Sequence, residues 1–337
     1  MTRPTYIQFM SSFHPGEPID NRFFSDLDIG SDESWIEDRT GIRSRHSVLA
    51  KEDILRLGKK ETSIEQLRAA GSVMSVAEMA QRSIANWPSW PQAAEALDTV
   101  ICGTSIADFT IPANASSIAA AVSVSAAAYD VNSACSSFVT GLHVARALIG
   151  TGSSTSALLV NPERYTLSLD FNDRNSCVLF GDACATTLLS SEQGQRKSLE
   201  VIDTFVDSDP RGFEKVQIPL QGHFIQDGKA VQKFAISKTV LSVQTILKRN
   251  GLGTTDISYF VGHQANLRML ESARKRLELS PKQHLFNVDR CGNQGAAGAP
   301  AVLAANWESF RDGDLIAAAV VGSGLTWGAA LLRVICP

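Results

Sequence analysis

Between Phe138 and Ile149 apolar residues recur at helical spacing. Phe138, Val139, Leu142, Ala145, Leu148 and Ile149 share one face, and Gly150 and Gly152 end the run. Just upstream, Tyr129 and Val131 close a short apolar stretch that predicts a buried strand. The segment between them, "NSACSS", is small and polar and holds Cys135. Ser133 and Ser136 are residues of the N-cap type. The pattern predicts a strand, a tight turn and a helix, with Cys135 at or near the helix N-terminus. Free N–H groups and the positive end of the helix dipole favour thiolate over thiol there. A buried, inert cysteine satisfies the same pattern, because free cysteines pack well in cores. On this stretch alone the two readings stand level.

The pattern then repeats. "LDTVICGTS" is a buried strand after an alanine-rich helix. It is followed by "AAAYDVNSAC", the helix to Ile149, the strand "SALLVNPE" and "CVLFGDACATTLLSS". Further on, "TDISYFVGHQ" is a buried strand after the helical "FAISKTVLSVQTILKRNGL". It is followed by "HLFNVDRCGNQG", the helix "AAGAPAVLAANWESF", the strand "LIAAAVVGSG" and "LTWGAALLRVIC". The same order occurs twice. It predicts an α/β protein of two halves, residues 1–192 and 193–337, related by a pseudo-twofold axis. The continuous apolar strands predict mainly parallel sheets covered on both faces by helices. Residues 43–75 are polar and are expected to form an insertion rather than core.

In such sheets, sites form at the carboxyl ends of strands. Cys135 ends a strand of the first half, and Asn293 lies in the matching turn of the second. His263 ends the strand that opens the second half. These three are expected to converge. A thiolate with an imidazole and an amide donor suits acyl transfer. The small-residue turn in "VGSGLTWG" lets backbone N–H groups approach an acyl oxygen closely.

Composition narrows the alternatives. The 337 residues are 44% hydrophobic and 20% charged, as in a globular protein, and the net charge of −4 gives no reason to expect nucleic acid or membrane as a partner. "MTRPTYIQFM" lacks a signal pattern and no stretch is long enough to span a bilayer, so a cytoplasmic setting is expected. The six cysteines form no CxxC pair and the six histidines no HExxH, which argues against a metal site.

Nearly the whole chain resembles the β-ketoacyl-acyl carrier protein synthase III family of thiolase-fold condensing enzymes. "SWIEDRTGIRSRH" looks like the family's N-terminal signature and "ACSS" like its nucleophile turn. "FGDACATTLL" is similar to the strand after the nucleophile helix. "GHQANLR" and "GNQGAAGAP" look like the histidine and asparagine motifs, and "GSGLTWGAALLR" like the C-terminal loop and strand.

The resemblance implies a thiolase fold, in which duplicated βαβαβ halves form a five-layered α-β-α-β-α sandwich. It implies that Cys135 accepts an acyl group and that His263 and Asn293 stabilise the enolate left when a malonyl thioester loses CO2. The oxyanion site would be built from the backbone N–H groups of Cys135 and Ser323. The family has glycine where this chain has Ser323, and serine resists positive φ. Trp35, Arg39, Arg174 and Asn266 correspond to contacts with coenzyme A or substrate. Arg268, Lys275 and Arg276 correspond to a face that docks acyl carrier protein. Phe109 and Ile111 lie in a loop that, in a homodimer, closes the partner's acyl pocket. An aliphatic Ile111 there implies a donor longer than acetyl. Acyl-coenzyme A or acyl-carrier protein and malonyl-acyl carrier protein are the implied partners, with no cofactor.

Two other functions would keep Cys135: joining two acyl units without decarboxylation, or acyl transfer to an oxygen or nitrogen acceptor. A non-catalytic subunit of a heteromeric synthase is a third reading, and the intact Cys-His-Asn set argues against it.

Overall fold

The computed structural model describes residues 2–85, 87 and 89–337. Ten strands make the central sheet: β1 (Tyr6–Phe13), β2 (Thr99–Cys102), β3 (Ala127–Asp130), β4 (Ser156–Glu163), β5 (Ala183–Ser190), β6 (Ser198–Ser208), β7 (Tyr259–Gly262), β8 (His284–Leu285), β9 (Leu315–Gly322) and β10 (Thr326–Ile335). Their order is β8-β7-β9-β10-β6-β1-β5-β4-β2-β3. Every strand of the first half therefore has a counterpart five strands later. In one half β1–β5 and β5–β4 are antiparallel while β4–β2 and β2–β3 are parallel. In the other, β6–β10 and β10–β9 are antiparallel while β9–β7 and β7–β8 are parallel. The halves join where Tyr6 and Ile7 of β1 pair with Glu200 and Leu199 of β6.

Helices fill the layers of this thiolase fold. Between the two half-sheets lie α6 (Ser137–Thr151) and α9 (Gly298–Ala305). Phe138, Leu142, Ala145, Val302 and Leu303 from these helices share one core with Ile7, Leu159, Val261 and Ala318 from strands of both halves. Outside the first half lie α4 (Val76–Ile84) and α5 (Asn114–Ala121), packing Met79 and Ile118 against Val100, Leu158 and Leu188. Outside the second lie α7 (Gly228–Arg249) and α8 (Leu267–Arg276), with α7 packing Val243 and Ile246 against Ala317, Ala319 and Leu331. The helix after Cys135 owes its depth to alanine and glycine. Gly141 packs so closely that a Cβ there would stand 2.5 Å from Leu159 Cδ1.

Three expectations are corrected. The sheets are not mainly parallel: two of the four pairings in each half are antiparallel, because β5 and β10 return as neighbours of the strands before them. The strand leading to Cys135 is not buried. It is β3, at the sheet edge, and its residues are half-exposed or exposed. Residues 43–75 do contribute core. Ile54 on α2 (Lys51–Gly58) and Leu67 on α3 (Ile64–Ala69) pack with Phe24, Ile36 and Phe171, and Arg45 is 1% exposed. Charged residues on the outer faces of these two short helices mask that apolar side in the sequence.

Candidate active site

Cys135 follows Ala134, whose φ of 50° is rare for a residue with a Cβ and turns the chain sharply out of β3. Residues Ala134–Ser136 form one turn of 3₁₀-helix that leads into α6. Ser133 and Ser136 do not cap through their side chains. Instead the Ser136 hydroxyl donates to the Ser133 carbonyl at 2.7 Å and lies 2.6 Å from Thr326 Oγ1. That second contact ties the Cys135 turn to the turn after β9. Gly322 lies at the junction, where a Cβ would stand 2.6 Å from the Ser133 carbonyl and 2.8 Å from the Ser136 nitrogen. The close approach thus requires glycine. Ser323 is not strained: the positive φ angles fall on Gly324 (74°) and Leu325 (48°). Its hydroxyl donates to the Val216 carbonyl.

Cys135, His263 and Asn293 line one cavity of about 210 Å³, together with Arg39, Asn266 and Ser323. Apolar walls come from Phe180, Phe224, Val216 and Met269. His263 sits just past β7 with Nδ1 enclosed and unpartnered, so Nε2 is the ring nitrogen open to a ligand. Burial lowers its pKa to about 4, which keeps the imidazole neutral at neutral pH. Asn293 is pinned by its backbone, donating to the Leu179 carbonyl at 2.8 Å and accepting from Gly181 at 3.0 Å. Two neutral N–H donors and a thiol thus face one space, and such donors can stabilise an oxyanion or enolate.

The thiol differs from expectation. Burial pushes Cys135 up to about 12, and the nearby Glu163 carboxylate adds to it. Cys135 Sγ lies 3.2 Å from the Tyr165 hydroxyl, a contact that sequence reading missed. Glu163, fully buried at the end of β4, was missed with it. A charged residue at the end of the predicted buried strand "SALLVNPE" was the available signal.

The coenzyme A candidates only partly assemble. On α1 (Glu33–Thr40), Trp35 carries the guanidinium of Arg39 at 4.7 Å and that of Arg174 at 4.8 Å from its ring centroid. Asn266 lines the cavity, but its carbonyl oxygen caps α8 by accepting from Arg268 and Met269, and its amide donates to the Arg39 carbonyl. Its polar atoms are therefore engaged in structure. Arg268 is likewise engaged, donating to the carbonyls of Asp38 and Glu37 at the end of α1 at 3.1 Å each. Lys275 and Arg276 are exposed on the last turn of α8. Phe109 (50%) and Ile111 (85%) are exposed and do not line this chain's own cavity. Among the described residues no group of His, Cys, Asp and Glu is placed to hold a metal ion, and no helix is long and apolar enough to cross a membrane.

The family model described as 3-oxoacyl-[acyl-carrier-protein] synthase III matches residues 129–210, and the model of its C-terminal part matches residues 247–334. The β-ketoacyl-[acyl-carrier-protein] synthase III of Acidiphilium cryptum is 34% identical over 98% of this chain and 99% of its own length. The crystal structure of 3-oxoacyl-(acyl carrier protein) synthase III from Pseudomonas aeruginosa PAO1 superposes with a TM-score of 0.82 at 29% identity, covering 98% of each chain. That from Thermus thermophilus gives 0.84 at 27% identity, covering 97% of this chain and 98% of its own. With matches to both family models and relatives aligned almost end to end, the chain belongs to the β-ketoacyl-[acyl-carrier-protein] synthase III family.

Proposed function

We propose that Cys135 is the nucleophile of this condensing enzyme and that His263 and Asn293 serve its second half-reaction. As a member of the family, the protein is an acyltransferase that carries an acyl group on a cysteine and joins it to a malonyl thioester. In the first step the Cys135 sulfur attacks the acyl thioester, and the donor thiolate leaves. In the second, the malonyl carboxylate departs as CO2, and the electron pair left behind forms an enolate. His263 Nε2–H and the Asn293 amide N–H donate to the enolate oxygen. The enolate carbon then attacks the Cys135 thioester, whose tetrahedral oxyanion is held by the backbone N–H groups of Cys135 and Ser323. The β-ketoacyl thioester forms as the Cys135 sulfur leaves.

The observation that carries this reading is the convergence of Cys135, His263 and Asn293 on one cavity, from the turn before α6, the end of β7 and the loop after the short helix Val288–Cys291. Neutral His263 supports a donor role over that of a charged partner. We also propose acyl-coenzyme A as donor, entering past Trp35, Arg39 and Arg174, and a malonyl-carrier protein meeting Lys275 and Arg276, with no cofactor. These substrates support a cytoplasmic setting. The symmetric strand pairing supports a division into halves 1–192 and 193–337. Half-exposed edge strand β3 and the exposed Phe109 and Ile111 support a homodimer in which that loop closes the partner's pocket. Incubation with a panel of acyl-coenzyme A donors, followed by malonyl-carrier protein, tests the function. Release of CO2 only after self-acylation is expected; product formation without CO2 would favour a non-decarboxylating enzyme.

A further inference from the structure

We propose that Tyr165 is a further catalytic residue, which draws the proton off Cys135 and passes it through Ser105 to Glu163. The inference deepens the function above and rests on Cys135 being the nucleophile.

The geometry is a continuous line of hydrogen bonds. Cys135 Sγ lies 3.2 Å from Tyr165 Oη, the Tyr165 hydroxyl donates to Ser105 Oγ at 2.8 Å, and the Ser105 hydroxyl donates to Glu163 Oε1 at 3.1 Å. Its direction follows from counting protons. The Glu163 carboxylate is surrounded by donors: the Ala296 N–H at 3.0 Å, the Ser105 N–H at 2.9 Å and the Thr104 hydroxyl at 3.4 Å, besides Ser105 Oγ. An ionised carboxylate only accepts, so the Ser105 hydroxyl must donate to it. Ser105 Oγ then accepts from Tyr165, and Tyr165 Oη is left with a lone pair for the S–H of Cys135.

The step balances. As sulfur attacks the acyl carbon, the S–H proton moves to Tyr165, the tyrosine's own proton to Ser105, and the serine's own proton to Glu163. Glu163 holds the proton while the acyl group occupies sulfur. When the thioester is cleaved in condensation, the three protons shift back and the thiol is restored. The donor's thiolate takes its proton from water.

The fold isolates this line. Ser105 follows β2 and Tyr165 follows β4, the counterparts of β7 and β9, which carry His263 and the turn at Ser323. The first half thus places a proton path at the strand ends where the second half places oxyanion donors. Tyr165 is 2% exposed, stacked on Phe180 with ring centroids 4.5 Å apart, and Glu163 is fully buried. The other titratable groups facing Glu163 are the thiols of Cys102 on β2 and Cys184 on β5, both pushed up by burial first. Arg164 is turned to Asp108 at 2.6 Å. Burial raises Glu163 to about 7, a value suited to taking and returning a proton near neutrality. Moving the proton onto Glu163 also removes the negative charge that helps hold the thiol protonated.

The test is the rate of self-acylation with acyl-coenzyme A, followed by intact-protein mass, for wild type, Tyr165→Phe, Ser105→Ala and the double variant. Each single variant should acylate about 10²-fold more slowly, and the double variant no more slowly than either, because a path broken once is broken. Wild-type acylation should rise with pH and level off near neutrality, whereas the variants should keep rising in proportion to hydroxide. Single variants within twofold of wild type, losses that multiply in the double variant, or an unchanged pH profile would each overturn the relay. If Tyr165→Phe does not fold, the rate and pH profile of Ser105→Ala decide. Wild type failing to acylate at Cys135 would instead sink the function on which the relay rests.

Discussion

Gly295 donates its backbone N–H to Asn293 Oδ1 at 3.0 Å, and that bond decides which end of the amide meets a substrate. With the oxygen engaged, the nitrogen is left for an incoming oxyanion. Gly295 can sit there because its φ is 55° and because a Cβ would stand 2.4 Å from the Tyr165 ring.

Asn293→Asp keeps the shape and replaces the donor by an acceptor. Malonyl decarboxylation by the acylated enzyme should fall about 10²–10³-fold, with self-acylation within a few-fold of wild type. His263→Ala should divide the half-reactions in the same way. Equal loss in both, measured by CO2 release and by intact mass, would show that the pair acts on Cys135 instead.

The Trp35 ring, with two guanidinium groups over it, suits an adenine that is itself a flat π system bearing phosphates. Stacking of a base on an aromatic side chain is worth about 1–3 kcal/mol. Trp35→Ala should therefore raise KM for acyl-coenzyme A about tenfold and leave KM for the matching acyl-pantetheine unchanged. A parallel rise for both donors would place Trp35 in packing alone.

Gly322→Ala inserts a methyl group against backbone atoms of the Cys135 turn, which cannot swing aside as a side chain would. It should cost about 1–3 kcal/mol of stability and slow self-acylation. Gly324→Ala is the contrast: the nearest atom to its Cβ is 3.8 Å away, but φ is 74°. Its cost should be about 1–2 kcal/mol from backbone strain alone, with acylation less affected. Urea unfolding and acylation rates of the two variants check this ordering.

Much of this arrangement was legible in the chain. Strands β2, β4 and β5 and their counterparts β7, β9 and β10 follow from the repeated order of apolar runs, whereas β1 and β6, which join the halves, lie outside that repeat. Cys135 and Asn293 stand out by their matching turns and His263 by its place after β7. Strand direction was not legible, because β4 and β9 are buried on both faces whether their neighbours run parallel or antiparallel. Helix position is local in the sequence, whereas the burial that raises the Cys135 thiol comes from Tyr165, Phe180 and Phe224, distant in sequence. Nothing in "HQANLR" distinguishes a cap from a ligand contact, so the sequence alone does not separate the two roles of Asn266. The relay escaped notice because Ser105 and Tyr165 are common residue types. Only their meeting at Cys135 gives them meaning.

Stability should depend on pH through half-buried His14 and buried His263. Burial first, and then the positive charge of His46 and Arg290, lowers His14 from 6.5 to about 4. The unfolded chain takes up that proton first as pH falls, so this stability is complete above about 6.5 and is lost as pH falls through about 4. His263 acts in the same sense. Glu163 and Asp182 oppose it: burial raises them to about 7 and about 6, so their contribution is present at low pH and lost as pH rises. His14→Asn should make the decline between pH 6.5 and 4 shallower by up to about 1.4 kcal/mol per pH unit. Denaturant unfolding over a pH series measures the slope, and an unchanged slope would contradict the assignment.

The central claim is that Cys135 carries the acyl group. Wild type and Cys135→Ala, incubated with the same acyl-coenzyme A and weighed intact, test it most directly. Wild type should gain the mass of one acyl group, mapped by proteolysis to the peptide holding Cys135. The variant should keep its fold and its unacylated mass. A single-site acyl adduct on Cys135→Ala, or an adduct in wild type on any other residue, would contradict the account.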